Sequence, residues 1–131
     1  MIAESLAGKR IAITGSTGFV GTALVERLLR SVPDCELVLL VRDGRRTPAP
    51  QRVERELLKN DAFDRLREQH AAPDSTETFK QMTARRITTV AGDVSSDGLG
   101  LSDDDRLTWS TANLIIHSAA SVSFDSPLDR A

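Results

Sequence analysis

The chain has 131 residues with a net charge of −2, and 40% of them are hydrophobic and 27% charged, which is ordinary for one globular domain with its own core. No basic run with interleaved aromatic residues indicates a nucleic-acid-binding face, and no stretch reaches the roughly 18 apolar residues that span a membrane. Residues 1–10 lack the apolar core of a signal peptide, so we expect a cytoplasmic protein. The single cysteine, Cys35, excludes an internal disulfide and is interpreted as a small buried hydrophobic residue.

The first predicted element is a buried strand at residues 10–14, a short apolar run that ends at a glycine. Residues 18–30 then place apolar side chains at helical spacing, which predicts an amphipathic helix. Pro33 ends that helix, and a turn leads into a second buried strand at 36–42. The chain therefore opens with the pattern of a parallel βαβ unit.

The middle of the chain is predicted to be helical between polar connections. Residues 43–51 form a polar stretch that we expect to lack regular structure. Residues 52–69 again show helical spacing and predict a helix with a break near Asn60 and Asp61. A loop is predicted at 70–78.

The last predicted elements are a strand at 86–94, a loop at 95–105 that runs into a helix, and a buried strand at 113–120. Ser102 and Asp105 are spaced as a capping pair at the start of that helix. Strands separated by helices predict an α/β fold, and crossover connections in such folds are right-handed. We therefore expect a Rossmann-like doubly wound parallel sheet of order 3-2-1-4, with helices on both faces.

Three glycines follow the first strand at a fixed spacing: Gly15, Gly18 and Gly21. The context of a strand before and a helix after supports a dinucleotide-binding turn. We expect Gly15 to permit the sharp turn, Gly18 to let the backbone approach a diphosphate, and Gly21 to let the helix pack closely. The alternative is a glycine-rich connector that binds no ligand.

The residues between these glycines supply the polar groups of the predicted phosphate site. The first N–H groups of the helix, near Phe19 and Val20, are expected to face the anion, and the helix dipole adds attraction. Ser16 and Thr17 can add hydroxyl hydrogen bonds.

The end of the second strand, "VLLVRDGRR", predicts which dinucleotide binds. An arginine there accommodates the 2′-phosphate of NADP, whereas an acidic residue holds the ribose 2′-hydroxyl of NAD. Arg42 comes first, and Arg45 and Arg46 follow closely, which favours NADPH because a guanidinium pairs well with phosphate. Two alternatives stay open: Asp43 binds the hydroxyl of NAD, or the arginines are solvated loop charges.

The ends of the third and fourth strands complete the predicted site, because ligands of open α/β sheets lie beyond the carboxyl ends of strands. Asp93 and Val94 are expected to border the adenine, and Ser118, Ala119 and Ala120 the nicotinamide ribose. The alternative for Asp93 is a cap in a tight turn.

The segments "ITGSTGFVG", "LLVRD", "RVERELLKNDAFDRLRE", "VAGDVSSDGLGLSDDD" and "LIIHSAASVSFDSPLDRA" resemble the extended short-chain dehydrogenase/reductases. The resemblance is to the NAD(P)-binding domain of fatty acyl-CoA reductases and of thioester reductases. It implies that residues 1–131 are the N-terminal part of such a Rossmann domain, and that the reaction is NADPH-dependent hydride transfer to an acyl thioester. In this resemblance the glycines hold the diphosphate and Arg42 holds the 2′-phosphate.

The chain departs from that family in its catalytic residues. The family uses a tyrosine followed four positions later by a lysine, but the sequence has no tyrosine and its lysines are Lys9, Lys59 and Lys80. His117 is interpreted as a hydrogen-bonded core residue rather than a catalyst. Hydride transfer needs an acid for the developing alkoxide, so we predict no catalytic residue, no metal site and little turnover by the chain alone.

Two other interpretations stay open at the sequence level. One is a fragment of an epimerase or dehydratase of the same superfamily, and the other is a non-catalytic nucleotide-binding module. In the reductase interpretation the fourth strand, with Leu114, Ile115 and Ile116, is expected to be an exposed edge that favours self-association, and the binding module could pair through the same edge.

Overall fold

The structure, a computed structural model, describes residues 2–118. Its centre is a sheet of four parallel strands in the order β3-β2-β1-β4. The strands are β1 (Arg10–Thr14), β2 (Glu36–Val41), β3 (Ile87–Ala91) and β4 (Leu114–His117). The predicted α/β fold and strand order are confirmed.

Helical segments connect the strands. The α-helices are α1 (Ile2–Leu6), α2 (Phe19–Ser31), α3 (Ala49–Arg52), α4 (Asp64–Ala71), α5 (Phe79–Arg86) and α6 (Asp103–Ser110). A π-helical turn at Val53–Leu57 continues α3, and 3₁₀ turns lie at Asp61–Phe63 and Asp97–Gly100.

The two faces of the sheet have separate cores, as the alternation of strand side chains requires. Ile11 and Leu37 belong to the larger core, which includes the apolar face of α2. Ala12 and Val38, one residue further along each strand, belong to a smaller core with Trp109 of α6. Helices therefore cover both faces, as predicted.

The predicted helix at 52–69 differs from the structure at its start. Helical structure begins at Ala49, inside the stretch predicted to be irregular, because Pro50 fits the first turn of a helix that Pro48 precedes as the N-cap residue. The break is confirmed, since the side chain of Asn60 accepts a hydrogen bond from the N–H of Ala62 at 2.9 Å and starts a new turn. Helix α5 is an addition to the predicted elements.

Strand β4 lies at one side of the described sheet. Leu114 is 40% exposed and Ile115 56% exposed, so the edge is apolar, as expected. Predicted strand residues 119–120 lie outside the described residues. Within residues 2–118, no helix has the length and hydrophobicity needed to cross a membrane.

Candidate dinucleotide-binding site

The turn between β1 and α2 has the geometry expected of its glycines. Gly15 has φ of 73°, a left-handed conformation that favours glycine, and its carbonyl oxygen accepts a hydrogen bond from the N–H of Gly18 at 3.1 Å. A Cβ added to Gly21 would lie 1.9 Å from the same oxygen. Helix α2 therefore crosses the turn at a distance that only glycine allows.

Gly18 differs from the other two glycines. Its φ is −78°, and an added Cβ would meet only the Gly15 oxygen at 3.4 Å. The fold itself does not require glycine at position 18. The space beside this residue is therefore not filled by the chain and is accessible to a ligand that approaches the turn.

The N-terminus of α2 is open to an anion. Gly18 provides no side-chain cap, and the first turn of the helix contains no acidic residue. Phe19 and Val20, 94% and 68% exposed, begin the helix, so their N–H groups lie at its accessible end. This arrangement is typical of helix termini that bind phosphate.

The two hydroxyl residues of the turn occupy different environments. Thr17 is exposed, whereas Ser16 is buried and its hydroxyl has no hydrogen-bond partner among the described residues. The Ser16 carbonyl accepts a hydrogen bond from the hydroxyl of Thr22 at 3.0 Å, which fixes the turn against α2. A buried hydroxyl without a partner is costly and is consistent with a turn that binds a polar group from outside the chain.

Arg42 follows β2 and is 71% exposed at its side chain, with a guanidinium nitrogen 4.0 Å from a carboxylate oxygen of Asp93. The neighbouring Asp43 accepts a hydrogen bond from the N–H of Ala49 at 2.7 Å. One oxygen of Asp43 is therefore engaged at the start of α3.

An open cavity of about 650 Å³ lies where β2 and β3 end. Its lining includes Arg42, Arg52, Gly92, Asp93 and Asp105. The sequence analysis did not identify Arg52 or Gly92 as part of the site. The cavity lies beside the carboxyl ends of two neighbouring strands, where open α/β sheets bind ligands.

Asp93 is held in a tight turn after β3. Its Oδ1 accepts hydrogen bonds from the Ser95 N–H at 2.9 Å and the Ser95 hydroxyl at 2.7 Å. These bonds, with a smaller contribution from the charge of Arg42, lower the pKa of Asp93. Its Oδ2 lies toward Arg42, and the adjacent Val94 is 41% exposed. The carboxylate thus caps a turn, as the alternative interpretation held, while it also lines the cavity.

Gly92 explains how the loop after β3 packs. An added Cβ would lie 2.6 Å from the Leu99 carbonyl oxygen and 2.8 Å from a methyl carbon of Leu40. The segment from Gly98 to Gly100 has positive φ throughout, including 61° at Leu99. The sequence stretch "GLG" is the signal that could have indicated this conformation.

The end of β4 is tied to the end of β1. Thr14 Oγ1 lies 2.7 Å from His117 Nδ1, and the Ser118 hydroxyl donates to the Thr14 carbonyl oxygen at 2.6 Å. His117 is hydrogen-bonded, as predicted, but it is exposed, so its assignment to the core is wrong: β4 lies at the edge of the described sheet. Ala119 and Ala120 lie outside the described residues.

The described geometry fits a dinucleotide. A close backbone turn, an uncapped helix N-terminus and a polar cavity lie at the carboxyl end of a parallel sheet. These features define a Rossmann-like dinucleotide-binding domain.

Comparison with known families gives the more specific assignment. The chain belongs to the family of NAD-binding domains described as Male sterility protein, whose model matches residues 13–131. A nicotinamide dinucleotide is therefore the cofactor class of this domain.

Individual relatives are reductases by name. The chain is 35% identical over 129 residues to fatty acyl-CoA reductase 1 of Arabidopsis thaliana, covering 96% of this chain and 26% of that protein. Among solved structures it is similar to the reductase domain of a non-ribosomal peptide synthetase from Mycobacterium tuberculosis, with a TM-score of 0.60 and 34% identity over 95% of this chain and 28% of that one. The terminal R domain of the myxalamid pathway gives a TM-score of 0.64 and 30% identity, over 94% of this chain and 28% of that one.

These matches favour a reductase over the epimerase or dehydratase alternative. The chain spans about a quarter of the length of the relatives it matches.

Proposed function

We propose that the chain is the NADPH-binding portion of an oxidoreductase that reduces a fatty acyl-CoA or another acyl thioester to an aldehyde or alcohol. The observation that carries the proposal is the turn between β1 and α2, where Gly21 packs on Gly15 with no space for a side chain and the helix N-terminus is uncapped. The reductase names of the relatives support the substrate class.

The glycine turn binds the diphosphate of the cofactor. The backbone around Gly15, Gly18 and Gly21 provides close approach, and the N–H groups of Phe19 and Val20 provide donors. Ser16 and Thr17 contribute hydroxyl groups at the same end.

The remaining contacts lie at the other strand ends. Arg42 binds the 2′-phosphate, and Asp93 and Val94 border the adenine. Ser118 borders the nicotinamide ribose, together with Ala119 and Ala120. NADPH supplies the hydride when bound, and the chain's own contribution is to bind and orient it.

Protonation of the developing alkoxide is not assigned to any residue of this chain. The sequence has no tyrosine, and His117 is bonded to Thr14. We therefore predict that the chain binds NADPH without measurable turnover of a long-chain acyl-CoA, and turnover by these residues alone would contradict that division of roles. The cytoplasmic location and self-association through β4 also stay predictions.

Arg42→Ala tests the cofactor assignment. The variant is expected to weaken NADPH binding about tenfold, because it removes one exposed charge-assisted pair, and to leave NADH binding unchanged. Arg65, an exposed arginine of α4 with no place at the cavity, gives the matched control Arg65→Ala. Equal losses for both cofactors would show that Arg42 does not read the 2′-phosphate.

A further inference from the structure

Of the two arginines among the described residues that line the cavity, Arg52 makes more hydrogen bonds than Arg42. Arg52 is the last residue of α3, and its side chain is 22% exposed, against 71% for Arg42. Its Nη1 donates to the Arg42 carbonyl oxygen at 2.7 Å. Arg52 therefore joins α3 to the end of β2 while it lines the same cavity.

Glu56 fixes the orientation of this guanidinium. Arg52 Nε donates to Glu56 Oε2 at 2.5 Å, and Nη2 donates to Oε1 at 3.3 Å. These bonds raise the pKa of Arg52 and lower the pKa of Glu56. Glu56 lies in the π-helical turn Val53–Leu57, which is closed by a bond from the Leu58 N–H to the Val53 carbonyl at 2.9 Å. Such turns are rare in proteins, and those that do occur are frequently located at functional sites.

Arg52 has donors to spare. A guanidinium carries five N–H groups, and the three bonds above leave two without an acceptor among the described residues, one on each terminal nitrogen. Each of these free N–H groups can donate a charge-assisted hydrogen bond to a phosphate oxygen. Because the side chain is already held by Glu56 and Arg42, little rotamer freedom is left to lose on binding.

The guanidinium of Arg42 is less preorganised for phosphate binding than that of Arg52. The Arg42 guanidinium is mostly exposed and has a 4.0 Å ion pair with Asp93, which is longer than a charge-assisted hydrogen bond. Glu56 reduces the net charge near Arg52, but it leaves the free donors in place.

We propose that Arg52 is a second 2′-phosphate-binding guanidinium that contributes to the preference for NADPH over NADH, with Glu56 as its positioning residue. This inference rests on the proposed function, since it concerns the adenosine end of the same cofactor. The group recognised is a phosphate on the 2′-oxygen of an adenosine.

The test measures that phosphate directly on the full chain. Calorimetric titration compares adenosine 2′,5′-bisphosphate with adenosine 5′-monophosphate, which differ only in the 2′-phosphate. Arg52→Lys keeps the charge but loses the fork of donors, and we expect about a tenfold loss of bisphosphate affinity with no change for the monophosphate. Glu56→Gln is expected to cause about a threefold loss, again for the bisphosphate alone.

Two controls match these changes away from the cavity. Arg65→Lys removes another guanidinium, and Asp64→Asn removes the carboxylate partner of Arg67, a pair three residues apart on α4. Neither is expected to change the affinity for either probe. Thermal unfolding of each variant shows whether it is folded. If Arg52→Lys does not fold, the bisphosphate affinity of Glu56→Gln tests the proposal in its place.

The outcomes separate this inference from the proposed function. A wild-type chain that binds the bisphosphate no better than the monophosphate contradicts the NADPH assignment itself. A wild-type preference that survives in both Arg52→Lys and Glu56→Gln overturns the role of Arg52 and Glu56 alone. Equal losses of affinity for both probes would show that Arg52 and Glu56 support the fold and do not bind the 2′-phosphate.

Discussion

Replacement of Gly21 by alanine is expected to destabilise the fold, because α2 crosses the glycine turn with no space for a methyl group. The added Cβ would lie 1.9 Å from the Gly15 carbonyl oxygen, 2.7 Å from its carbon and 2.8 Å from Ser16 Cα. All three are backbone atoms, so rotation of a side chain cannot relieve the clash. Helix α2 or the turn must move.

The expected magnitude follows from two opposing effects. Overpacking costs about 1–3 kcal/mol, and the upper end applies here because backbone must shift. Alanine in a helix returns about 1 kcal/mol relative to glycine, so the net loss is about 2 kcal/mol. For a domain of this length that lowers Tm by about 8 °C.

Thermal unfolding followed by circular dichroism checks this prediction, with Gly18→Ala as the matched control. At Gly18 the added Cβ meets one oxygen at 3.4 Å, an ordinary contact, and φ is −78°. We expect Gly18→Ala to keep Tm within about 2 °C of the wild type, since alanine is compatible with this conformation. If Gly21→Ala unfolds at or above the wild-type temperature, the close packing of α2 on the turn is refuted.

Three further changes test the surroundings of the site. Arg86→Met should lower the free energy of unfolding, measured in urea, by about 3 kcal/mol or more. The buried guanidinium donates hydrogen bonds to three backbone carbonyl oxygens, that of Cys35 among them, and loss of these bonds leaves the acceptors unpaired. Ser95→Ala should raise the pKa of Asp93 toward its usual value, measured by carbon NMR titration, and any stability from this carboxylate is lost as pH falls through its lowered folded pKa. Trp109→Ala should cost about 3 kcal/mol in urea unfolding, because this ring packs in the smaller core; a loss under about 1 kcal/mol would contradict that.

Much of the fold follows from local sequence patterns. The bounds of β1 match the prediction at both ends, and α2 matches within a residue, because both combine a clear apolar period with a strong boundary signal. One half of the predicted capping pair at α6 is confirmed, because the Ser102 hydroxyl accepts a hydrogen bond from the Asp105 N–H at 3.1 Å. The carboxylate of Asp105 instead accepts a hydrogen bond from the Ala91 N–H at 3.4 Å.

Elements with weak periodicity were harder to predict. Helix α5 buries one large apolar side chain, Met82, so its hydrophobic pattern is faint. The signal that was available is its capping box, in which Thr78 and Gln81 bond each other's backbone.

The geometry of the glycine turn could be predicted because it depends on local sequence, whereas contacts between distant segments were missed. The roles of Gly15 and Gly21 in the turn follow from their spacing. Arg52 reaches the end of β2 through a bond to the Arg42 carbonyl, and Thr14 joins β4 through His117. Neither contact can be predicted from the spacing of residues in the sequence, because both depend on how the helices and strands pack.

The most direct test of dinucleotide binding at the turn between β1 and α2 is a calorimetric titration of the folded full chain with NADPH and with NADH, repeated on Gly18→Val. We expect the wild-type chain to bind both cofactors, NADPH more tightly, and the folded variant to bind neither, because the valine side chain blocks the approach of the diphosphate to the turn. A folded wild-type chain that shows no binding of either cofactor, or a Gly18→Val variant that binds as the wild type does, would contradict the claim that this turn holds a dinucleotide.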